Sequence, residues 1–152
     1  MGTKGRRGSL DGKGLTIGVV AARYNEEIVD ALLEGALQAL EEHGAKADPV
    51  LSVPGSFEIP IAAQALADAG RVDAVVCLGC VIKGETAHFE HVAEGAARGI
   101  MDVALETGVP CIFGVLTTYT REQASDRADK GREAAETAIE MANLLRSVRS
   151  RA

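Results

Sequence analysis

A chain of 152 residues that is 47% hydrophobic, with 3 Phe, 2 Tyr and no Trp, fits one domain whose core is aliphatic, and this composition excludes a disordered polymer. The net charge of −6 is uneven: the first fourteen residues and the last seven each carry +3, so the body between them carries −12, which speaks against binding nucleic acid through its phosphates. Three cysteines, an odd number, argue against a disulfide framework and for a reducing compartment, with the cytoplasm as the expectation. No apolar run of membrane-spanning length and no secretory leader are found, so no membrane association is expected.

In chain order, LTIGVVAA (residues 15–22) predicts a first strand. The period then becomes helical, with Ile28, Leu32, Leu33, Ala36, Leu37 and Leu40 on one face. Asn25 is expected to cap this helix, Glu26 and Glu27 to complement its dipole, and Gly44 to end it. PVLSV (residues 49–53) predicts a second, short strand, and VPGSFEIP turns into a helix over residues 58–69 with Pro60 in its first turn. DAVVCLG (residues 73–79) reads as a strand buried on both faces, followed by a helix over residues 87–106 that Gly108 and Pro110 stop. CIFGVLTT (residues 111–118) predicts a fourth strand. Thr120 with Gln123 has the spacing of a capping box, and a last amphipathic helix is expected over residues 133–148.

Strands alternating with helices predict four parallel strands in a flavodoxin-like three-layer α/β/α sandwich. It is expected to be a single domain over residues 15–152, after a basic, flexible segment at residues 1–14. In such sheets ligands bind beyond the carboxyl ends of the strands. Those ends deliver Arg23, Tyr24 and Asn25, then PGSFE, then GCVIKGETAH, then Thr117 and Thr118.

GCVIKGETAH carries the densest chemistry. Its glycines let backbone amides approach a ligand, and Thr86 at the start of a helix can donate to an anion, although a glycine-containing turn with a threonine cap fits as well. The spacing is neither a Walker loop nor a dinucleotide fingerprint. His88 stands beside that anion position, where an imidazole could move protons, or it could be a merely solvated helix residue. His91 is one turn on and is recommended only by spacing. A metal reading would add Glu85 or Glu94 to the two histidines; Cys77 and Cys80 form a lone CxxC, read as two packed thiols rather than a zinc site. Arg127, in the helix after strand four, suits a phosphate but equally a solvated face. Tyr24 and Phe57 at strand ends could stack on a flat heterocycle.

RYNEEI, VPGSFEIP, GCVIKGETAHFEHV, PCIFGVLTT and AIEMANLLR, in that order and over nearly all of the chain after residue 14, resemble the lumazine synthase family of riboflavin biosynthesis. The resemblance implies condensation of 5-amino-6-(D-ribitylamino)uracil with 3,4-dihydroxy-2-butanone 4-phosphate to 6,7-dimethyl-8-ribityllumazine. An imine forms at the ketone, phosphate is eliminated, and the second ring closes with loss of water, with no cofactor or metal. It implies Tyr24 stacking on the pyrimidine, Ser56, Phe57 and Glu58 holding the ribityl chain, and the backbone of Cys80, Val81 and Ile82 along the pyrimidine edge. Glu85, Thr86 and Arg127 match its phosphate positions and His88 its proton-transfer residue. Phe113 and Arg127 are implied to come from a neighbouring subunit, so that the site needs a homo-oligomer.

Two departures bear on this. Cys80 stands where the family commonly has Thr, which matters little for a backbone contact. After Arg127 the chain has only Ala128, Asp129, Lys130 and Gly131 where many members have a longer bridge between pentamers. A pentamer is therefore expected rather than a capsid, with Lys130 a candidate for the bridge's substrate-facing lysine and riboflavin synthase a candidate partner. The alternative is a flavin- or lumazine-binding oligomer without catalysis, which would not need Thr86, His88 and Arg127 together. A phosphoacceptor receiver is disfavoured because strands one and three end without acidic residues.

Overall fold

The computed structural model describes residues 5–150. Its elements are β1 (Thr16–Ala22), α1 (Glu26–Glu42), β2 (Lys46–Val53), a single 3-10 turn (Ser56–Glu58), α2 (Ile59–Asp68), β3 (Ala74–Ile82), α3 (His88–Thr107), β4 (Cys111–Thr118), α4 (Arg121–Ser125) and α5 (Lys130–Arg149). The four strands are all parallel, in the order β2-β1-β3-β4.

Each face of this sheet buries a different set of side chains, which makes three layers. Ile17, Val19, Val76 and Leu78 pack with Leu32, Leu40 and Ile139 of α1 and α5. Val20, Val75, Cys77 and Val115 pack with Ile59, Ala63, Ile100 and Val103 of α2 and α3. Every residue of β3 but the last is buried, as a continuous apolar run at the middle of a parallel sheet requires. β2 instead alternates exposed and half-buried residues, because it is an edge.

β3 runs three residues past its expected end at Gly79, to Ile82, staying paired with β4, and three further points differ from the sequence expectation, each for a local reason. β2 begins at Lys46, three residues before Pro49. The pairing with β1 jumps from Ala47 to Val50 while β1 advances only from Ile17 to Val19, so Pro49, which has no N–H to give, is absorbed at an irregularity of an edge strand. α5 begins at Lys130, ahead of Glu133, although Gly131 is a poor helix former. A Cβ on Gly131 would overlap the carbonyl of Leu32, so the glycine is what lets α5 lie directly on α1. Asn25 does not cap α1 through its side chain; it adopts a left-handed backbone (φ 60, ψ 47) and turns its amide elsewhere. The capping box at Thr120 and Gln123 is present in full.

Residues 5–14, expected as flexible, have no regular structure but are tied to the domain. Asn143 Nδ2 donates to the carbonyls of Ser9 (2.8 Å) and Asp11 (2.9 Å), and the amide of Gly12 donates to the carbonyl of His43 (2.7 Å). Residues 1–4 of that segment lie outside the described residues.

The α1–α5 contact can be tested at its narrowest point. Gly131→Ala should gain helix propensity yet lose about 1–3 kcal/mol of stability through overpacking against Leu32, measured by urea denaturation. A variant as stable as the parent would contradict the close approach.

Candidate active site at the carboxyl edge of the sheet

The strands end at different heights, and the site is built in the step between them. A cleft of about 640 Å3 opens there, lined by residues from the β1 and β2 ends, the 3-10 turn, the end of β3 and the start of α3. Tyr24, Ser56, Phe57, Glu58, Cys80, Val81, Ile82, Thr86 and His88 all line it. Glu85 lies on the exposed loop between Gly84 and Thr86.

Local packing sets the orientation of these groups. Ser56 is buried, while Tyr24 (74% exposed) and Phe57 (59% exposed) stand out of the edge. Phe57 is nonetheless held from behind, because its ring lies where a side chain on Gly95 of α3 would go: a Cβ there would be 2.5 Å from the ring. Cys80 points its side chain into the α1–α5 layer at 1% exposure, so its backbone is what remains at the cleft. Thr86 Oγ1 accepts from the amide of His88 at 3.3 Å, which turns the chain into α3 and places His88 as the first residue of that helix. Beside the mouth, Lys83 Nζ lies 5.5 Å from the centroid of the Tyr119 ring, whose other neighbour is Phe89 at 6.4 Å. That is a cation–π arrangement.

Phe113, Arg127 and Lys130 do not reach this cleft. They line a second concavity of about 470 Å3 along β4 and α5, with Thr117, Thr118 and Glu133. β4 is the outer strand of the sheet, so this concavity opens on an unpaired strand edge. Phe113 is 44% exposed there. Arg127 Nη1 donates to the carbonyl of Gln123 at 2.8 Å, and Lys130 pairs with Glu133 at 3.0 Å. One chain therefore carries two groups of candidate site residues that face different openings.

His91, which spacing alone recommended, lines the first cleft with His88, and so do Phe89 and Val92, which went unread in the sequence. Their signal was the helical period itself: residues three and four apart share a face, so a helix that starts at the cleft presents residues 88, 91 and 92 together. Among the described residues there is no group of three or more His, Cys, Asp and Glu side chains placed to hold a metal ion. Among the described residues no helix is long and apolar enough to cross a membrane.

The sequence model of the family described as 6,7-dimethyl-8-ribityllumazine synthase matches residues 14–146 of the chain. A protein of that name from Thermococcus gammatolerans is 49% identical over 145 residues, covering 93% of this chain and 94% of the relative.

The three thiols are held in their neutral form by their surroundings. Burial pushes Cys77 well above the ordinary thiol range, and the neighbouring Cys111 adds to it. Burial raises Cys80 too, opposed in part by the positive charge of Arg121, and takes Cys111 up to about 11. Only the thiolate alkylates, so folded protein at pH 8 should react with iodoacetamide roughly 100-fold more slowly than urea-unfolded protein. Labelling of Cys111 should climb as the pH approaches 11. Rapid labelling of Cys80 at pH 8 would contradict the packing assigned to it.

Proposed function

Because the chain belongs to the 6,7-dimethyl-8-ribityllumazine synthase family, its activity is that of a lumazine synthase of riboflavin biosynthesis, a transferase, and we propose that the cleft at the end of β3 is where it is carried out. The observation that carries this reading is the convergence, at one edge of the sheet, of an exposed aromatic ring, free strand backbone and a threonine–histidine helix start.

Tyr24 stacks on the pyrimidine of the diaminouracil, and the backbone of Cys80, Val81 and Ile82 meets its polar edge. Ser56, Phe57 and Glu58 take the ribityl chain. Glu85 and Thr86 form the phosphate seat through the loop and helix-start amides, which point toward an anion and carry the positive end of the helix dipole. Arg127 adds a planar fork of donors for the same phosphate.

Catalysis on this assignment is mostly placement. The 5-amino group must attack the ketone carbon and the carbinolamine must lose water; the carbon beside the imine must then give up a proton as phosphate leaves with its bonding electrons, and the ribitylamino nitrogen closes the ring on the carbonyl that the resulting enol becomes, with loss of a second water. Holding both reactants in one cleft removes much of the entropic barrier. His88 sits beside the phosphate seat, where it can accept a proton from the attacking amine and return one to a departing oxygen.

The reading is completed by a second subunit. Phe113, Arg127 and Lys130 belong to the site only if the β4 edge of one chain abuts the cleft of another, so the working form is a homo-oligomer, which the short segment after Arg127 and the family resemblance favour as a pentamer. Residues 15–152 act as the single catalytic domain, with residues 1–14 as its basic leading segment. The three free cysteines fit a reducing cytoplasm. Riboflavin synthase, as consumer of the lumazine, is a candidate partner.

With both substrates supplied, the protein should produce the fluorescent lumazine well above the uncatalysed rate, and no acceleration would refute the reading. His88→Ala should lower kcat about 100-fold, at the low end of what an acid–base group supplies. Arg127→Ala should raise KM for the phosphorylated ketone about 10- to 100-fold, as expected for a lost charged hydrogen bond, with KM for the diaminouracil little changed. An unchanged KM for the ketone would remove Arg127 from the phosphate.

A further inference from the structure

β1 and β3 separate before the cleft is reached. Their pairing ends with Ala21 against Leu78, whereas β3 stays paired with β4 as far as Ile82 against Thr118. The edge of residues 80–82 that faces β1 is therefore without a neighbouring strand. One side chain stands in for it: Asn25 Nδ2 donates to the carbonyl of Cys80 at 2.8 Å, across 55 positions of sequence.

Asn25 is fixed for this task by its backbone as well as by its side-chain amide. Among the described residues it is the one non-glycine with positive φ, a conformation that asparagine tolerates better than most residues. Its carbonyl accepts from the amides of Ile28 (3.0 Å) and Val29 (3.1 Å), which starts α1. The amide of its neighbour Tyr24 donates to the carbonyl of Pro54 at 3.1 Å. A single residue thus ties the end of β1, the start of α1 and the overhanging edge of β3.

We propose that Asn25 is a positioning residue for the diaminouracil. Backbone groups of successive strand residues point to opposite edges, so Cys80 and Ile82 share the edge that faces β1. With the Cys80 carbonyl held by Asn25, the Ile82 amide and carbonyl are the next polar pair along that edge, in the cleft that Tyr24 also lines. Losing the amide frees the β3 overhang and blurs the pattern that the pyrimidine must match. This inference rests on the cleft assignment made above.

Two substitutions test it. Asn25→Gly keeps the left-handed backbone at no steric cost and removes only the amide; Asn25→Asp keeps the shape and replaces the donor by an acceptor facing a carbonyl. Asn25→Gly should raise KM for the diaminouracil about 3- to 10-fold, the size of one neutral hydrogen bond, and Asn25→Asp should raise it further. KM for the phosphorylated ketone should stay at its parent value in both, and the thermal midpoint of Asn25→Gly should stay near the parent's. A merely structural role would lower the midpoint and the amount of active enzyme while leaving both KM values alone, and that result would overturn the proposal.

Tyr24→Ala, measured in parallel, separates two failures. If it raises KM for the diaminouracil and Asn25→Gly does not, the role of Asn25 is wrong and the cleft assignment stands. If neither variant moves that KM, the assignment falls and the proposal with it.

Discussion

Strand β3 has neighbours on both edges up to Leu78 and on one edge beyond it, and the architecture at the carboxyl end of the sheet depends on that asymmetry. Being buried on both faces, β3 cannot shift along its axis without exposing a Val or Leu, so its register is fixed by the core. Its last residues then project past β1 at a height the core determines. The projecting edge leaves backbone groups free for a ligand, and the floor of the cleft is this edge together with the 3-10 turn that follows β2. α3 starts a few residues later, so a helix start faces the same space.

Charge adds a second constraint. A body carrying −12 repels an anionic substrate at long range, and a phosphate can be held only by local donors. In one chain the cleft offers the loop and helix-start amides and Thr86, with Lys83 at its mouth resting on Tyr119. The guanidinium of Arg127 and the ammonium of Lys130 lie in the other concavity, beyond the outer strand. On the proposed reading, bringing a neighbour's β4 edge to the cleft supplies the missing cations and covers the half-exposed Phe113 in one step, so assembly and substrate binding are one requirement.

Much of this was legible in the sequence where local chemistry and fold agree. β4 and the capping box at Thr120 needed only a β-branched run and a three-residue spacing, and both have their expected limits. What was not legible lies in contacts between distant segments. Gly131 reads as a helix breaker until Leu32 is seen against it, and Pro49 reads as a strand boundary until the irregular pairing with Ala47 and Val50 is known. Asn25 has the sequence of a cap, and only the end of the β1–β3 pairing shows why its amide goes to Cys80 instead. The cleft group from Tyr24 to His88 was readable from the rule that parallel sheets bind at their carboxyl edge. That Phe113, Arg127 and Lys130 face a different opening follows from β4 being an outer strand, which strand order decides and composition does not.

The central claim is that one catalytic site takes His88 from one chain and Arg127 from another, and mixed oligomers test it most directly. His88→Ala and Arg127→Ala chains would be co-expressed or refolded together and assayed for lumazine formation beside each variant alone, at a phosphorylated-ketone concentration far below the parent KM so that each variant alone is nearly inactive. A shared site predicts that random mixing of equal amounts restores roughly a quarter of the parent activity, because that share of interfaces pairs an intact His88 with an intact Arg127. Activity no higher than the mean of the two single variants would contradict a site built between chains.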